Sequence, residues 1–225
     1  MTENNLISTY LKVYQPLVNN FISEIKDVNY HNIPEPFFPV FGSEYFNAKI
    51  KIAFIGIETK GYGNITDFIN HAKSNLNESL LRELDEFNNL DFTNWVTNFG
   101  NNFWAFVFKY LSYFYSLNDW KELIQKKHPS ILKSFLWGNV NSIEDFNITA
   151  KGKNVKYDDW IKVKEASKIF DHGKYLLDVF NPDILIILNW ASDESYITNK
   201  IPLNFQKKVL EDHVWDFYHP NIKTK

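Results

Sequence analysis

The sequence predicts an α/β fold: a three-layer sandwich in which helices flank a central, mostly parallel four-stranded sheet. Two observations carry this. Short apolar runs at 51–58 and 183–189 lack polar alternation, which marks strands buried on both faces, as in parallel sheets. Between such runs lie segments whose apolar residues recur every three or four positions, and strands alternating with helices build a largely parallel sheet. A chain of 225 residues buries a sizeable core without staples. With no repeats and no low-complexity linker, residues 1–225 read as one domain.

Taken in order, Leu6, Tyr10, Val13, Tyr14, Leu17, Phe21 and Ile25 form a helical stripe, so residues 1–30 are expected as a leading helix packed on the rest. Prolines 34, 36 and 39 end it and keep the next segment extended. The first strand is 51–58, with helical patterns at 66–73, 76–88 and 101–117. Residues 131–140 read as the second strand. Helical spacing then runs from Trp160 to Phe180, where Pro182 stops it. The third strand is 183–189 and the fourth 214–218.

Composition narrows the chemistry. Without Cys, disulfides, thiolate nucleophiles and Cys-ligated zinc or iron–sulfur sites are excluded. The first residues carry no basic and apolar export signal, and no apolar run is long enough for a bilayer. A cytoplasmic, soluble protein with no membrane association is expected. A net charge of −3 gives no global polycation, so nucleic-acid binding needs a local basic face. Residues 149–174 supply seven lysines against four acidic residues, an excess of three. Aromatics make up 17% of the chain, more than an ordinary core needs.

Open α/β sheets place their sites at the carboxyl ends of strands. That rule selects Gly56-Ile57-Glu58 and its successors Lys60, Gly61 and Gly63, then Asn139, Asn189, and His219-Pro220-Asn221. There a carboxylate polarises water, an amide reads a polar edge and an imidazole steadies a developing anion. Each also has a plainer role: Glu58 as a helix cap, Asn139 bonding backbone in a turn, His219 as a surface histidine near the terminus. The glycines match no dinucleotide or phosphate-loop pattern. They read instead as a turn that lets a ligand approach backbone. Nothing in the histidine spacing points to a metal, and no cofactor is expected. Lys127-His128-Pro129-Ser130 follows a helix rather than a strand and reads as a turn.

Gly56-Ile57-Glu58, Asn102-Phe103-Trp104, Asn139 and Tyr218-His219-Pro220-Asn221 occur in an order and spacing that resembles the uracil-DNA glycosylase superfamily, chiefly its mismatch-specific and single-strand-selective branches. The likeness covers roughly residues 37–221. It departs in Glu58, where Asn or Asp is usual, in Thr59 for a following Pro, in Asn221 for Ser, and in ending at Lys225. The resemblance implies a glycosylase-like sheet and DNA as partner, with repair or phage defence as the setting. It makes Glu58 and His219 catalytic: Glu58 orients water and offsets charge on the sugar, and His219 stabilises the departing base. Gly56, Ile57, Phe103 and Asn139 would hold the base, Phe103 by stacking and Asn139 through its amide. Lys60, Lys151, Lys153 and Asn221 would contact DNA, and a protein partner could complete the grip of the short C-terminus. Two alternatives stand beside this: an inactive relative that binds a base, nucleotide or protein, and a small-molecule hydrolase using the same carboxylate.

Overall fold

The computed structural model describes residues 3–57, 59, 62–92, 101–170, 179–188, 206–211 and 214–218. Its sheet has six strands: β1 (Val40–Phe41), β2 (Ile52–Gly56), β3 (Phe135–Asn139), β4 (Ile184–Ile187), β5 (Gln206–Glu211) and β6 (Val214–Tyr218). Their spatial order is β1-β3-β2-β4-β6-β5. The longer helices are α1 (Glu3–Glu24), α2 (Ile65–Asn88), α3 (Asn101–Phe114) and α4 (Tyr157–Ser167).

The α/β class and the flanking helices are as expected; the sheet is not. It is mixed rather than mostly parallel, and it has six strands rather than four. Only β3, β2 and β4 run parallel, while β1 and β6 pair antiparallel at either side and β5 pairs antiparallel with β6. The physical reason lies in the connections. Parallel neighbours need a long crossover, and helical segments provide one between β2 and β3 and between β3 and β4. Two residues separate β5 from β6, which allows only an antiparallel return. The edge strand β5 escapes detection because Gln206, Lys207, Lys208 and Glu211 break any apolar run, as edge strands do to avoid self-pairing. β1 is too short to show a period.

Parity along the strands sorts the core into two faces. Phe54 and Gly56 of β2 pair in register with Trp137 and Asn139 of β3, so these four side-chain positions share one face. α3 covers it: Tyr110 meets the Phe54 ring edge-on at 5.7 Å and Trp104 meets Trp137 at 5.0 Å. On the other face Leu136 pairs with Phe41, whose ring meets Tyr10 of α1 at 6.3 Å. Of the N-terminal stripe, Tyr10, Tyr14, Phe21 and Ile25 are buried, and Val13 and Leu17 are partly buried. One continuous core runs from Tyr10 to Leu185 and absorbs most of the aromatic excess. The two patterns at 66–73 and 76–88 appear as a single helix, α2, broken at Asn75 (φ −154°, ψ 92°). No helix among the described residues is long and apolar enough to cross a membrane.

Candidate functional site

The carboxyl ends of β2 and β3 converge as the sequence implies. Gly56 and Asn139 are register partners, and the ladder continues past both strands: Val140 N–H donates to the Gly56 carbonyl and Asn141 N–H to the Ile57 carbonyl, each at 2.8 Å. α3 brings Phe103 onto the same spot. A Cβ added at Gly56 would sit 2.8 Å from the Asn139 amide and 3.3 Å from the Phe103 ring, so a larger residue there would have to push the amide or the ring aside. Gly56, Phe103 and Asn139, three of the predicted base-binding residues, therefore form one contiguous group, with half-buried Ile57 next along the chain.

Asn139 is 1% exposed. Oriented by its neighbours, its amide donates to the Gly138 carbonyl at 2.9 Å and accepts from the Thr59 N–H at 3.3 Å. The amide thus locks the loop after β2 onto β3. One further donor and one further acceptor site are left on it by valence.

The residue that sequence reasoning missed is Glu144, also 1% exposed. Its carboxylate accepts from the Thr59 hydroxyl at 3.4 Å and from the Tyr62 N–H at 3.0 Å. The Trp160 indole N–H of α4 donates to the Glu144 carbonyl at 3.0 Å, and the Lys164 ammonium donates to the neighbouring Ile143 carbonyl. Thr59 and Tyr62 are thereby fastened to the segment after β3 and, through it, to α4. The Tyr62 ring lies edge-on to Phe37 at 5.2 Å. The only sequence signal for Glu144 was its position a few residues beyond a strand end.

Glu58, Lys60, His219 and Asn221 lie outside the described residues. The direction of β6 nevertheless bears on the fourth strand end. Phe217 pairs antiparallel with Leu185, so Tyr218 lies at the edge where β4 begins, opposite Gly56 and Asn139. Three strand ends therefore share the carboxyl edge, and the fourth does not. Lys151 and Lys153 are exposed in the loop between the short helix Phe146–Thr149 and α4. Of the motif read as a turn, Pro129 and Ser130 instead begin a short helix, Pro129–Leu132, and the His128 ring nitrogen before it lies 3.0 Å from the Glu122 carboxylate.

A cavity of about 880 Å³ lies elsewhere, along α2 between His71 and Asn89. None of the predicted site residues lines it. Beneath this helix, Arg82 is shared by the buried carboxyls of Glu35 and Glu83, at 3.7 and 3.2 Å. Burial pushes Glu35 up to about 7, against the pull of Arg82. Burial, with Glu35 and Glu86 adding repulsion, pushes Glu83 up to about 8.

No protein-family model matches the chain, and no curated protein or solved structure matches it.

Proposed function

We propose that the chain is a monofunctional DNA glycosylase that hydrolyses the N-glycosidic bond of uracil or another altered base. The observation that carries this reading is the group formed by Gly56, Phe103 and Asn139: a flat ring and an amide meeting at a strand end stripped of its Cβ. Those are the parts that recognise an extruded base, one by stacking and the other through its paired donor and acceptor. Glu58 follows directly where the β2–β3 ladder ends. A carboxylate there orients water towards C1′ of the sugar and offsets the positive charge that builds on it. As the C1′–N bond breaks, its electron pair leaves with the base and the water proton passes to the carboxylate. Because β6 ends on the opposite edge, the reading rests on Glu58 rather than His219. Lys151 and Lys153, exposed beyond Glu144, supply the phosphate contacts.

A second reading is favoured by Asn139 itself. Its amide is engaged inside the protein, which suits a pocket that binds a base, nucleotide or protein partner without cleaving.

Abasic-site formation on oligonucleotides containing uracil, mismatches and modified bases separates the two. The hydrolase reading expects base release that falls about 10²- to 10⁴-fold in Glu58→Gln, with His219→Ala retaining activity. Base binding with no release from any substrate would leave the non-catalytic reading.

A further inference from the structure

The outward side of α3 carries rings that are exposed or only partly taken up by the core. Phe106 is 37% exposed and Tyr113 87%. Phe106 stacks on Tyr110 at 6.2 Å with 22° between planes, and Tyr110 on Phe114 at 6.4 Å with 11°. Positions 106, 110, 113 and 114 fall on one side of a helix. Exposed Lys109 shares that side, and its ammonium lies 5.9 Å from the Trp120 ring. α3 contains no acidic residue.

The helix that carries this row also reaches the candidate site. Phe103, in the first turn of α3, is the ring against Gly56. From there to Phe114 the helix rises about 16 Å, the length of several nucleotides. A run of near-parallel rings around a lone cation matches the way single-stranded nucleic acid is held: bases stack on rings and phosphates meet a lysine. A duplex keeps its base faces in its own stack and cannot use such a surface. A second copy of the chain is a poor occupant. Rings of about 150–250 Å² each, of which Tyr113 alone among these four is mostly exposed, leave only part of the ~800 Å² per partner that a stable interface needs.

We propose that this face of α3 binds single-stranded DNA, taking the nucleotides that flank the base held at Gly56, Phe103 and Asn139. The inference rests on the base-binding reading of that site and names the strandedness of its substrate.

Fluorescence anisotropy with a labelled 15-nucleotide single strand, and with the same sequence as a duplex, tests it. Wild type is expected to prefer the single strand. Tyr113→Ala, whose side chain is nearly free of the core, and Phe106→Ala/Tyr113→Ala should weaken that binding at least about tenfold. Tyr113→Ala should leave thermal unfolding essentially unchanged. Lys109→Ala should lower the slope of log affinity against log salt by about one. Equal binding by wild type and the double variant overturns the inference, as does a wild-type preference for duplex or no binding at all. So does a dimer that becomes monomeric in the double variant with DNA binding intact. Base release is scored on the same strands. Absent release sinks the hydrolase reading alone, whereas release with unaltered binding by the ring variants sinks this inference alone.

Discussion

Glu144 shows how one side chain can organise a site without being visible as part of it. A single carboxylate oxygen holds the Thr59 hydroxyl and the Tyr62 N–H, and its backbone carbonyl holds Trp160. A buried backbone N–H left without an acceptor costs about 1–3 kcal/mol. Glu144→Ala should therefore lose about that much stability in urea unfolding, while Glu144→Gln, which keeps an acceptor oxygen, should lose less. Equal stability of wild type and Glu144→Ala would show that the loop is held by other contacts. Gly56 and Asn139 were legible because a glycine and an amide at strand ends are conspicuous. Glu144 was not, because a polar stretch such as 141–145 reads as a turn whichever partner its side chains find.

At the scale of elements, α2 is the instructive case. Its start is capped by Asn64, whose side chain accepts from the Thr66 N–H at 2.8 Å. Midway, Asn75 leaves the helical region and repeats the device. Its side-chain oxygen accepts from the Glu78 N–H at 3.2 Å while its amide donates to the Glu78 carboxylate at 3.0 Å. The first of these bonds is an N-cap inside α2, and with the non-helical φ/ψ of Asn75 it explains why the sequence reads as two helical patterns. Asn75→Ala should cost about 1 kcal/mol, measured by thermal or urea unfolding; a neutral or stabilising result would mean the break is set by packing instead. Strand recognition failed at β1 because two residues show no period, and at β5 because its polar side chains interrupt any apolar run.

At the scale of the molecule, the buried carboxyls of Glu35 and Glu83 couple stability to pH. Their neighbours are Arg82, Glu86 and Asp67 on α2 and Tyr10 on α1, and Gly63, at φ +54°, packs so closely that a Cβ would collide with the Glu35 carboxyl. Burial raises these carboxyls to about 7 and about 8, whereas unfolded glutamates titrate near 4.3. The folded chain thus holds protons that the unfolded chain has released. The stabilisation is fully present below the unfolded value and is lost as pH rises through 7 to 8, at about 1.4 kcal/mol per pH unit for each proton held. Urea midpoints at pH 5, 6.5 and 8 should fall in that order, and Glu83→Gln should flatten the trend. A midpoint that climbs with pH in wild type would refute the protonated pair.

The strands 52–56 and 184–187, the helical stripe at Tyr10, Tyr14 and Phe21, and the α/β class all follow from local periodicity, which a chain carries in its order of residues. So does the candidacy of Gly56 and Asn139, because strand ends are local features. Tertiary structure alone decided that these two lie side by side with Phe103 packed against Gly56, since register and helix placement depend on partners far along the chain. It alone decided that β6 runs antiparallel and ends on the far edge, because direction is set by the hairpin with β5 rather than by anything in 214–218. It also turned Glu144 from a loop residue into an anchor, a role that exists only once Thr59, Tyr62 and Trp160 are brought to it.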